Sequence, residues 1–250
     1  MFKPLISLMA ALAAMPVAVA SAADMSVKAP PAAPVAPIYN WNGFYAGIQA
    51  GGGWATAQTT NVTATTSVPA GFVDSTANFS GVLGGFYYGY NYQFNNQWLV
   101  GIDGDFDWAD LTGTSTDIGP LNGHLLTHNH DMEWLTTVTG RLGYTVNNWL
   151  FFAKGGWAWA RFDGTTTNFL GTTYFGIGTE ATTRDGWTVG AGLEYGVTEH
   201  VSLKLEYDYV GFQTANFTST DISATNVVTN PSKSTSSSLN IVKGGVGVRF

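Results

Sequence analysis

The sequence predicts an all-β fold, an eight-stranded antiparallel up-and-down transmembrane β-barrel. Three observations carry that prediction. Eight stretches alternate an apolar face with a polar or charged face, the two-residue period of a strand. The connections between them are short and long in strict turn, the pattern of periplasmic turns and extracellular loops. Charged residues make up only 11% of the chain, against about 25% in soluble domains, while aromatics reach 14% and glycines number 31.

At the N-terminus, residues 1–22 carry Lys3, then an apolar run, then Ala18, Ala20 and Ala22. This is the form of a secretory signal peptide, with cleavage expected after Ala22 or Ala23. An N-terminal membrane anchor is the alternative, and the short run broken by Pro16 argues against it. Residues 23–40 hold Pro30, Pro31, Pro34 and Pro37 among alanines, a composition expected to form an extended periplasmic tether. The barrel is expected over residues 41–250. An exported chain without cysteine suits a bacterial envelope. The net charge of −7 argues against a nucleic-acid partner.

The strands are expected at Phe44–Trp54, Val82–Tyr92, Trp98–Trp108, Trp134–Val146, Trp149–Trp159, Trp187–Val197, Val201–Gly211 and Ile241–Phe250. In the third, Trp98, Val100, Ile102, Phe106 and Trp108 share one face and Asp103, Asp105 and Asp107 the other. The same division recurs in the rest. The apolar faces carry no charge, and Thr136 is their one clearly polar residue. The opposite faces hold Asp103, Asp105, Asp107, Arg141, Lys154, Glu194, Lys204, Glu206, Asp208, Lys243 and Arg249.

Tight turns are expected at Phe94–Gln97, Asn147–Asn148 and Thr198–His200. Long Thr-, Ser-, Asn- and Gly-rich loops are expected at Ala55–Gly81, Ala109–Glu133, Arg161–Gly186 and Phe212–Asn240. Aromatic residues gather at both ends of the apolar faces. Trp54, Trp108, Trp134, Trp159, Trp187 and Tyr209 lie toward the long loops; Tyr92, Trp98, Tyr144, Trp149, Tyr195 and Phe250 lie toward the turns. Two such girdles mark the headgroup levels of a bilayer. A soluble barrel with an apolar interior has no need of them.

The segments WNGFYAGIQAGGGW, WLVGIDGDFDWA, GRLGYTVNNWLFFAKGGWAW, GWTVGAGLEYGVTEHVSLKLEYDYV and the closing VGVRF resemble the alphaproteobacterial porin-family outer-membrane proteins, small barrels of OmpA/OmpW-like architecture. The likeness covers nearly all of residues 41–250 outside the loops. It implies an abundant protein of the cell outer membrane that supports the envelope and is displayed at the surface, with haemin binding described for some members. It also implies that Phe250, with Val246 and Val248 on its face, is the signal read by the barrel-assembly machinery. The partners expected are outer-membrane lipid and lipopolysaccharide, with the barrel itself a monomer.

The inward charges number six anions and five cations. An eight-stranded barrel is just wide enough for side chains to fill, and charges enclosed there must pair. An internal ion-pair network is therefore expected, with a narrow polar conduit for small solutes as the alternative. Asp103, Asp105 and Asp107 open like a calcium loop, but the twelfth position is Thr114 rather than glutamate. Carboxylates on alternate strand residues also stand about 6.8 Å apart. His124, His128 and His130, near Asp131 and Glu133, form the one local cluster with ligand chemistry, for a transition metal or the iron of haemin. The alternative is a polar surface loop that contains histidines. No nucleophile with a spaced base and no phosphate loop occurs, so an enzyme is not expected.

Overall fold

A computed structural model of the chain describes residues 39–61, 73–118, 124–170, 173–217, 220–222, 227–229 and 233–250. The expected signal peptide, and the tether up to residue 38, lie outside them. The strands are β1 (Gly43–Asn61), β2 (Val73–Phe94), β3 (Trp98–Ile118), β4 (His124–Val146), β5 (Trp149–Leu170), β6 (Thr173–Gly196), β7 (Val201–Phe217), β8 (Thr220–Ile222), β9 (Val227–Thr229) and β10 (Lys233–Arg249). Eight of them close a barrel in the order β1-β10-β7-β6-β5-β4-β3-β2, and β8 pairs only with β9.

Every strand expected from the alternation is present, facing the expected way. Ile48, Ile102, Trp108, Val138, Leu205 and Val246 stand exposed on the outer wall, while Asp103, Asp107, Lys154 and Lys243 are buried inside. The outer aromatics meet across neighbouring strands at both ends of the wall. Trp187 and Tyr209 lie 5.4 Å apart at one end, and Trp98 and Tyr144 lie 5.2 Å apart at the other. No helix among the described residues is long and apolar enough to cross a membrane.

The turns follow from their asparagines. Asn95, Asn96 and Asn147 adopt positive φ, a region asparagine enters more readily than most residues because its short polar side chain bonds locally. They connect β2 to β3 and β4 to β5 with almost no intervening chain. Closure of the cylinder is as tight. Tyr45 pairs with Arg249, the Phe250 amide donates to the Phe44 carbonyl at 2.9 Å, and a Cβ on Gly43 would stand 2.7 Å from the Phe250 carbonyl oxygen. Some inward glycines make room for large neighbours. A Cβ at Gly47 would strike the Tyr87 ring, and one at Gly89 the Tyr45 hydroxyl.

The four expected long loops are the main correction. The strands continue well into them: β5 continues past Trp159 to Leu170, roughly 35 Å of further strand at about 3.3 Å per residue and far beyond the aromatic girdle. A span needs only about 9–11 residues, so these extensions stand clear of the apolar belt. Threonine favours extended backbone, and the pairing begun in the barrel wall propagates outward through segments such as Thr165–Thr167 that carry no apolar–polar alternation.

The same correction moves the histidines. His124–His130 is not a loop but the start of β4, paired with β5 from His124↔Leu170 to His130↔Gly164. A register shift between Met132 and Trp134 leaves Glu133 and Trp134 in succession on the outer side. Above it the even-numbered residues turn inward: Met132 is buried, and the His130 ring stacks on the buried Phe79 at 6.4 Å. His128 stacks on His130 at 6.3 Å.

Candidate functional site

Inside the barrel the side chains form three layers along the axis. The middle one is ionic. Lys243 sits at its centre, on β10, with its ammonium 3.1 Å from Asp208, 3.3 Å from Asp107 and Glu206, and 3.4 Å from Asp105. Lys154, on β5, reaches Glu206 at 2.8 Å, Asp208 at 3.3 Å and Asp105 at 3.4 Å. The two lysines thus share three carboxylates. Arg141 pairs with Glu194 at 2.8 Å and with Asp103 at 3.8 Å. Lys204 reaches Glu206 at 3.3 Å and lies 3.6 Å over the Tyr87 ring.

Neutral side chains knit this layer together. The Tyr45 hydroxyl donates to Asp103 at 2.5 Å and accepts from Arg141 at 3.1 Å. The Gln49 amide donates to both oxygens of Asp107, at 2.9 and 3.0 Å, and the Thr137 hydroxyl donates to Asp105 at 2.9 Å. Charges this deeply buried are tolerable only when each is surrounded by opposite charge and hydrogen bonds. The register supplies that: Lys243 faces Glu206 across β10 and β7, and Glu194 faces Lys204 across β6 and β7.

Apolar side chains seal the layer on both sides. Toward the strand extensions, Leu83, Leu111, Met132, Leu135, Val210, Phe212, Leu239 and Ile241 pack into one buried cluster. Toward the turns, Tyr39, Trp41, Leu99, Leu150 and Phe152 form a second. The alternation alone marks the inner face as polar and reveals neither cluster. The signal was available in Leu83, Leu111, Leu135 and Leu239, which sit at inward parity just where each strand nears its upper girdle.

Arg249 departs from expectation. Its guanidinium contacts no described carboxylate and instead donates to the Asn40 carbonyl at 2.8 Å, lying 4.4 Å over the Trp41 ring and 5.0 Å over Tyr39. Packing inside the barrel therefore includes Tyr39, two residues before the expected boundary of the barrel. The chain's penultimate residue clamps its entering segment, and the Trp41 amide donates to Gln93 at 2.9 Å. Phe250 is at the opposite face of the same closure, exposed on the outer wall.

His128 and His130 share the inner face of the β4 extension; the side chain of His124 lies outside the described residues. Among the described residues no group of three His, Cys, Asp or Glu side chains is arranged to hold a metal ion.

Comparison with known proteins agrees with this architecture. Residues 8–250 match the family model of the outer membrane protein beta-barrel domain. The chain belongs to that family. This outer-membrane barrel is 32% identical over 229 residues to the 31 kDa outer-membrane immunogenic protein of Brucella melitensis, covering 86% of this chain and 90% of that one. It is 29% identical over 220 residues to the 22 kDa outer membrane protein of Rhizobium leguminosarum, covering 87% and 82%. Among solved structures it resembles the outer membrane protein OprG of Pseudomonas aeruginosa, with a TM-score of 0.50 at 15% identity over 84% of this chain and 97% of that one. The barrel is thus an outer-membrane protein with a role at the surface and in the envelope. Its turns face the periplasm and its strand extensions face outward.

Proposed function

We propose that this protein is a non-conducting, non-catalytic structural barrel of the outer membrane, inserted as a monomer among lipopolysaccharide and phospholipid, with Phe250 as its assembly signal. The observation that carries the reading is the layered interior. An ionic layer lies between two apolar plugs, and Lys243, Leu135, Leu150 and Trp41 are all wholly buried. A hydrated ion crossing it must separate carboxylates from lysines that already neutralise one another, and must then pass leucine and aromatic side chains. The outer wall serves a different purpose: its exposed valine, leucine and isoleucine side chains lie against acyl chains, with indoles and phenols at the headgroups.

Planar lipid bilayers test the closed interior against the narrow-channel alternative. The purified protein is expected to insert without producing steady unitary currents in molar potassium chloride. Reproducible single-channel steps from a homogeneous preparation would contradict the proposal.

A further inference from the structure

Beyond the outer girdle the wall does not stay closed. Pairing between β6 and β7 runs from Gly196↔Ser202 to Gly186↔Phe212 and no further among the described residues, although β6 continues to Thr173 and β7 to Phe217. Pairing between β2 and β3 stops at Ser80↔Thr112, although these strands continue to Val73 and Ile118. The other interfaces stay zipped: β4 and β5 pair out to His124↔Leu170, and β1 and β10 out to Asn61↔Lys233. The two seams lie on opposite sides of the barrel order. The cylinder therefore divides at its outer end into two four-stranded sheets, β3-β4-β5-β6 and β7-β10-β1-β2.

The longest free edge belongs to β6. From Gly176 to Asp185 its inner row of amides is fully paired with β5. Asp185 still meets β7, accepting from the Gln213 amide at 2.7 Å, while from Gly176 to Thr183 the outer row of β6 pairs with no strand among the described residues. The register shift at Phe169 falls beyond Gly176, near the tip. Proteins blunt such edges with proline, lysine or bulges. The β6 extension TYFGIGTEATTRD contains no proline or lysine and carries no charge from Thr173 to Thr179. The chain has no described segment to cover it, since β8 pairs only with β9.

We infer that the Gly176–Thr183 edge of β6 is a docking strand for an extended polypeptide segment arriving from outside the cell, which adds as the next strand of the β3-β4-β5-β6 sheet. A row of amides and carbonyls at strand spacing is complementary to another extended backbone. The edge points around the circumference, into the seam. A second barrel standing in the same bilayer does not reach it, whereas a single extended segment slides in from above. The inference rests on the surface placement of the strand extensions and is independent of whether the interior conducts.

The probe is a displayed library of random linear peptides of roughly twelve residues, selected against the whole barrel in nanodiscs. Binders are expected to lose affinity about tenfold or more when alternate residues are N-methylated in one phase, and to change little in the other phase. Only one row of a strand's amides faces its partner, and removing two or three hydrogen bonds is worth that factor. The same loss is expected when a disulfide zips the seam in the variant Thr183→Cys with Ala215→Cys, which continues the Gly186↔Phe212 register, and reductant should restore binding. Heat-modifiable gel mobility confirms that the variant is folded. A selection that yields no peptide sensitive to both methylation phase and the zip overturns the inference. Currents in the bilayer experiment alongside phase-sensitive peptide binding would remove the closed interior and leave the docking edge standing.

Discussion

Replacing Lys243 with methionine is expected to lower the unfolding free energy of the barrel by about 3–5 kcal/mol, the range for removing one partner of a buried ion cluster. Its ammonium lies within 3.4 Å of four carboxylates. Methionine restores much of the volume but none of the charge. Lys154 still reaches Asp105, Glu206 and Asp208, but Asp107 keeps only the Gln49 amide. Water cannot replace the lost cation, because the apolar plugs close both ends of the layer. Equilibrium unfolding in urea with lipid vesicles, followed by tryptophan fluorescence, measures the loss. Adding Asp107→Asn to the methionine variant is expected to recover part of it, since one uncompensated charge is then removed. A loss below about 1 kcal/mol, the value of exposed pairs, would mean that the interior is wet.

The second large effect concerns the outer wall. Val138 is exposed midway along β4, between Trp134 at one girdle and Tyr144 at the other. Val138→Arg is expected to destabilise the barrel by about 2–4 kcal/mol, whereas Val146→Arg, at the turn end, costs only about 0–1 kcal/mol. In water both would be nearly neutral surface changes. The same vesicle unfolding assay reads the difference. Equal effects at the two depths would break the assignment of the wall to lipid.

The face of every membrane-crossing strand was legible in the sequence because two very different environments act on alternate residues. Asp103, Asp105 and Asp107 against Ile102, Phe106 and Trp108 leave one sensible orientation. The strand extensions were not legible for the opposite reason. Beyond the girdle Thr165, Thr166, Thr167 and Asn168 alternate no apolar with polar residues and read as loop, while the pairing that holds them comes from the neighbouring strand. The inward turn of His128 and His130 depends on one extra residue at Glu133, and nothing in the local sequence marks a bulge. The ion network was predicted as a set, yet its pairs depend on register. Arg249 fell outside it because the barrel end offered Trp41, Tyr39 and the Asn40 carbonyl before any carboxylate.

The closed interior is tested most directly at Thr139, which is buried beside the ionic layer with its hydroxyl 3.4 Å from the Asp103 carbonyl. The chain has no native cysteine, so Thr139→Cys gives the folded barrel a single internal thiol. Between sealed plugs this thiol is expected to resist a small charged methanethiosulfonate reagent in lipid vesicles, to react fully once the protein is unfolded in urea, and to contrast with Ser236→Cys on the exposed outer extension, which reacts in the folded state. Rapid modification of the Thr139 position in the folded barrel would contradict a dry, charge-paired core.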